Sequence, residues 1–122
     1  MMHVMLEGLM GDSAGKPLTP ELMDLVAERF KALGEPARLQ ILQALRAGEQ
    51  TVSDLVDATG LGQANVSKHL QLLHGLGFVE RRKEGLYVHY RLSGEDIFMM
   101  CDLMCGRIED EAERRLRLTK SD

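Results

Sequence analysis

The sequence predicts a mainly α fold with one β-hairpin (α+β), its elements in the order α-α-α-α-β-β-α. Three observations carry this. Apolar residues recur at helical spacing through four segments between Pro20 and Gly75. The period then drops to two over residues 78–92, as in paired strands. From Asp96 onward it returns to 3.6.

The first helix opens at Thr19-Pro20, an N-cap followed by proline at the first helical position. Its apolar stripe is Leu22, Val26, Phe30 and Leu33, joined by Leu25, and Gly34 ends it. Glu35-Pro36 restarts the chain in the same way. Ala37, Ile41, Leu42 and Leu45 carry the second stripe, and Gly48 closes it. A third helix begins at Thr51, with Asp54 placed for a capping-box exchange and Leu55 and Val56 facing inward. Gly60-Leu61-Gly62 is a tight turn, and a fourth helix runs from near Gln63 to Gly75 with Val66, Leu70 and Leu73 on one stripe. Two short helices joined by a glycine-containing turn make a helix-turn-helix.

In the hairpin, Leu86, Val88, Tyr90 and Leu92 alternate with Tyr87, His89 and Arg91. Residues 78–82 are the partner strand and Lys83-Glu84-Gly85 the turn. A hairpin directly after such a helix pair is a wing, so the architecture is a winged helix-turn-helix. Ser93-Gly94-Glu95-Asp96 starts the last helix, its acids suited to a positive helix N-terminus. Ile97, Cys101, Met104, Ile108 and Ala112 form its stripe, with Cys105 at the edge and Leu116 extending it. Few elements remain to cover that face, which predicts a dimer interface. The expected organisation is a flexible arm over residues 1–18, one domain over 19–118 and a tail over 119–122.

A chain of 122 residues supports one modest core. With no Trp and eight Met, that core must be aliphatic. The net charge of −4 does not advertise a nucleic-acid partner, so the local distribution of cations decides. No stretch reaches membrane-spanning length, and MMHVMLEGLM lacks the positive start and apolar run of a signal peptide. The expected location is therefore the cytoplasm, where the two cysteines are free thiols rather than a structural bridge.

Opposite its apolar stripe, the fourth helix carries Ala64, Ser67, Lys68 and Gln71, with Gln63 and Asn65 at its exposed start. Small residues, amides, a hydroxyl and one cation enter a DNA major groove without clashing. Gln63 and Asn65 are candidate base readers, because an amide pairs bidentately with adenine. Lys68 is a candidate phosphate ligand. His69 lies at the flank of the buried stripe, and two roles are open to it: local packing or hydrogen bonding, or a phosphate contact. Arg81, Arg82, Lys83 and Arg91 lie in or beside the hairpin against Glu80 and Glu84. Cations there contact phosphates and position the protein without reading sequence. The competing reading is a solvated edge that discourages strand pairing.

The helix order, with LGEPARLQILQAL in the second helix and QANVSKHLQLLHGLGFVERRKEGLYVHYRL running from fourth helix through wing, resembles the ArsR family of bacterial winged-helix repressors. The resemblance covers residues 20–108. It implies a homodimer, formed through the first and last helices, on a partly palindromic double-stranded operator. It also implies that Gln63, Ala64, Asn65, Ser67, Lys68 and His69 form the DNA-facing helix start, with the two recognition helices roughly 34 Å apart.

The family's familiar sensor sites are not matched. Gln50-Thr51-Val52-Ser53-Asp54-Leu55 holds no Cys, so the third-helix thiol site is missing. In the last helix Asp96 fits the first ligand of the zinc pattern, but Phe98 and Glu109 stand where histidines belong. Carboxylates without imidazole make a poor zinc site. Cys101 and Cys105 remain. Spaced i, i+4, they share a helix face and are placed to hold one soft metal ion or metalloid with a third ligand. A disulfide between them would be strained, whereas a pairing across a dimer axis is open. So is a purely packing role, since Cys behaves as a small hydrophobe.

Three functions follow as alternatives. The first is a homodimeric repressor of its own operon, released by a metalloid, a thiol-reactive species or another inducer. The second is a winged helix used for protein interaction without DNA, which fits the acidic charge but not the lack of apolar anchors on the recognition face. The third is a thiol enzyme, disfavoured because Arg107 is the only cation near the cysteines. No enzyme activity is expected.

Overall fold

The computed structural model describes residues 17–120. The 1–16 portion of the predicted arm therefore lies outside the described residues. The chain forms α1 (Pro20–Leu33), α2 (Pro36–Leu45), β1 (Gln50–Thr51), α3 (Val52–Thr59), α4 (Gln63–Gly75), β2 (Val79–Glu84), β3 (Tyr87–Leu92) and α5 (Asp96–Lys120). The last helix thus runs two residues into the span read as a tail.

Local chemistry sets the helix ends. Thr19 accepts the Leu22 amide through Oγ1 at 3.2 Å, ahead of Pro20 at the first position. At α2 the proline alone marks the start, because Glu35 makes no side-chain cap. Thr51 and Asp54 complete a reciprocal capping box: the Asp54 amide donates to Thr51 Oγ1 at 3.2 Å, and the Thr51 amide donates to Asp54 Oδ2 at 3.0 Å. Those bonds hold the Asp54 carboxyl below its ordinary pKa. Gly60 ends α3 in the left-handed conformation, φ 76°, which favours glycine. Gly62 then caps α4 in an extended conformation. The three-residue turn is thereby fixed.

The sheet has three strands in the order β1-β3-β2, all antiparallel. The hairpin was expected; β1 was not. Gln50 pairs with Tyr90 and Thr51 with His89. Two further readings of the hairpin are corrected. The first strand extends through Glu84, and Gly85-Leu86 forms the turn. Gly85 supplies the positive φ, 61°, that a two-residue hairpin loop demands. Leu86 is consequently a fully solvated tip residue rather than the first inward strand position.

The core lies between α2, α3, α4 and the sheet. Ile41, Leu55, Val66, Leu70 and Leu73 have no solvent exposure, and Leu42, Leu45 and Val79 have almost none. Each such side chain contributes roughly 1.5–3 kcal/mol of burial. Tyr90 closes one side, and Ile97 with Phe98 anchors the start of α5. Phe98 was missing from the expected stripe. It is buried because the Arg46 guanidinium lies 4.1 Å from its ring centroid and covers it.

The outer helices are different. In α1 only Ala32 is buried, while Leu22, Leu25 and Phe30 of the expected stripe are 43%, 50% and 59% exposed. In α5, after Phe98, only Cys101 and Gly106 are half-buried up to Thr119. Met99, Leu103, Met104 and Ile108 stand open. Among the described residues no helix is long and apolar enough to cross a membrane.

Candidate nucleic-acid interface

Helix α4 presents most, but not all, of the predicted residues to solvent. Gln63, Ala64, Asn65, Lys68 and Gln71 are solvent-exposed, whereas Ser67 is half-buried. Burial of Val66, Leu70 and Leu73 fixes the helix's rotation and turns that face outward. Its N-terminus has no side-chain cap. The first-turn amides therefore project free donors, which favour an anion such as a phosphate.

His69 has an internal partner. Arg38 of α2 donates from Nε to His69 Nδ1 at 3.2 Å. Burial, followed by the Arg38 cation, pushes the His69 pKa below its ordinary value, which favours the neutral ring that this bond requires. Of the two roles open to His69, local hydrogen bonding is the one realised in the free chain. Arg38 carried no role in the sequence reading, since its partner lies 31 residues away and no periodicity links them.

The four wing cations fall into two pairs. On one face of the hairpin, Arg82 donates to Glu84 Oε2 at 2.7 Å and to Glu49, which also receives its Nε at 3.2 Å. His89 lies 3.8 Å from each of those carboxylates. Arg91 on the same face pairs with Glu80 at 2.6 Å. Hydrogen bonding to Arg82 holds Glu49 and Glu84 below the ordinary carboxylate pKa and raises that of Arg82. On the opposite face, which they share with the buried Val79, Arg81 and Lys83 line an open groove with Val88 and Tyr90. Neither makes an ion pair with a described residue. Register separates the faces: Arg81 lies opposite Tyr90 and Arg82 opposite His89.

On α5, Cys101 is half-buried and Cys105 exposed, both as free thiols one turn apart. Among the described residues, no group of three or more His, Cys, Asp and Glu side chains is gathered in metal-binding fashion. Asp96 and Glu109 are solvated and Phe98 is core.

Comparison with known proteins agrees with this arrangement. Residues 35–81 match the model of the bacterial regulatory protein, arsR family. The chain is 45% identical over 76 residues to the HTH-type transcriptional regulator Rv0324 of Mycobacterium tuberculosis, covering 62% of this chain but 34% of that protein. It is 32% identical over 105 residues to a probable mercury resistance operon repressor of Streptomyces lividans, covering 75% of this chain and 84% of that one. Among solved structures, the homodimeric winged helix-turn-helix DNA-binding domain of Mb0332 from Mycobacterium bovis superposes with a TM-score of 0.67 at 35% identity, covering 84% of this chain and 94% of that one. Fold, helix-turn-helix and wing thus coincide with those of a known set of regulators, and the chain belongs to the arsR family of bacterial regulatory proteins.

Proposed function

We propose that the protein is a homodimeric DNA-binding repressor acting in the cytoplasm. One observation carries this: the polar, amide-rich outer face of α4 stands clear of the domain beside a wing with unpaired cations, while the apolar faces of α1 and α5 stand open elsewhere. Gln63 and Asn65 read bases, Lys68 and the α4 N-terminus hold phosphates, and Ala64, Ser67 and Gln71 line the groove contact. Arg81 and Lys83 supply the wing's phosphate contacts. Arg82 and Arg91 join only by exchanging their carboxylate partners for phosphate. The second copy covers Leu22, Leu25 and Phe30 on α1 and Leu103, Met104 and Ile108 on α5. The mycobacterial structure is a homodimer, which supports that assembly.

The inducer site is assigned to Cys101 and Cys105. Two thiols at i, i+4 fit a soft ion that accepts two thiolates, or a metalloid completed by a thiol from the second copy across α5. The Streptomyces relative is named for mercury resistance, which supports the soft-ion class. Thiolate ligation at this helix would compete with its packing against the second copy.

The test is fluorescence-anisotropy titration of DNA upstream of the protein's own coding sequence with the reduced protein across a salt series. Mercuric ion, arsenite, zinc and a persulfide donor are then added in turn. Tight, salt-dependent binding released by a thiol-directed agent, and retained in Cys101→Ser/Cys105→Ser, is the expected result. No binding at low salt overturns the repressor reading.

A further inference from the structure

We infer that Arg38 is a positioning residue that ties the end of α1 to the DNA-facing helix α4, with His69 as the acceptor. The inference rests on the DNA-binding reading of α4. From its place on α2, one guanidinium makes two bonds that point apart: Nη1 donates to the Ala32 carbonyl at 3.0 Å, and Nε donates to His69 Nδ1 at 3.2 Å. Ala32 is the penultimate residue of α1 and the only buried one on it. Its carbonyl is among those a helix leaves without an internal partner, at the end where a cation is favoured. Arg38 therefore caps the helix that carries one open apolar face. Its other arm holds a side chain one position after Lys68 and two after Ser67.

The bond to His69 exists only while Nδ1 bears a lone pair. The charged groups acting on the ring are Arg38 and Lys68, which oppose its protonation, and Glu35, which favours it. A proton on Nδ1 removes the acceptor and sets two cations against each other. Loss of the Arg38 bond then removes this link between α4 and the end of α1. A simple added charge on the DNA-facing helix would act the other way, raising affinity for any DNA.

The sign is therefore the test. In the full chain without DNA, two-dimensional NMR of the imidazole nitrogens is expected to find His69 in the Nε2–H tautomer. It should titrate below the ordinary value of about 6.5, and Arg38→Ala should shift that titration upward. With DNA, affinity for the upstream site is expected to fall roughly tenfold as pH drops through the depressed His69 titration, the worth of one lost charged hydrogen bond. His69→Asn, which keeps an acceptor near the Nδ1 position but gains no proton, is expected to flatten that fall. An Nδ1–H tautomer, a titration unmoved by Arg38→Ala, or affinity that rises on acidification overturns the inference. The NMR readout needs no DNA, so its failure is distinct from failure of the repressor reading.

Discussion

The helix-turn-helix and the outer helix pair are built from similar apolar residues and end in opposite states. Around α4, Val66, Leu70 and Leu73 are wholly enclosed by α2, α3 and the sheet. Along α5, apolar side chains of similar size, Leu103, Met104 and Ile108, are more than half exposed. Periodicity finds an apolar face; it does not say whether the chain itself supplies the cover. The inner unit is complete within one copy, and in the proposed homodimer the second copy covers the outer one.

The strongest way to break this contrast is in the core. Leu70→Ala should cost about 3 kcal/mol, within the roughly 2–5 kcal/mol range of buried Leu truncations, read by urea denaturation at fixed protein concentration. A loss below about 1 kcal/mol would mean that the inner unit is loosely packed. Leu103→Asp should leave the inner unit folded but weaken self-association by at least roughly tenfold. Sedimentation equilibrium reads the association, and the thermal midpoint should lose its dependence on protein concentration. A dimer as tight as the parent's would place the interface elsewhere. Thr51→Ala removes half of the capping box and should cost about 1 kcal/mol, measured by the same denaturation. The smallest effect is expected from Glu49→Gln. This solvated wing pair should leave the thermal midpoint nearly unchanged, because exposed ion pairs add little stability. Releasing Arg82 should steepen the salt dependence of DNA binding by about one phosphate contact. An unchanged slope would show that Arg82 stays with Glu84.

What the sequence made legible was local. Thr19-Pro20, Thr51 with Asp54, and Gly60 with Gly62 are capping signals within a few residues of the ends they define, and those ends lie where they were read. The Gln63-to-Gln71 face followed from the three buried residues behind it. The features that escaped are long-range. Strand β1 is two residues long and has no period of its own; only Tyr90 and His89, about 40 residues on, make Gln50 and Thr51 a strand. Arg38 with His69 and Arg82 with Glu49 join positions 31 and 33 apart. Phe98 lies beside the stripe through Ile97 and Cys101, and the Arg46 that covers it belongs to the end of α2. In α1 the enclosed residue proved to be a small one, Ala32, because α2 lies close against that helix's end.

Thr51 is at once the last residue of β1 and the cap of α3. The strand that pairs with β3 of the wing and the helix that leads into α4 therefore meet at one residue. In the proposed complex, groove contact and wing contact then meet the DNA at a fixed interval. A half-site lengthened by one base pair, about 3.4 Å along the axis, would keep either contact but not both.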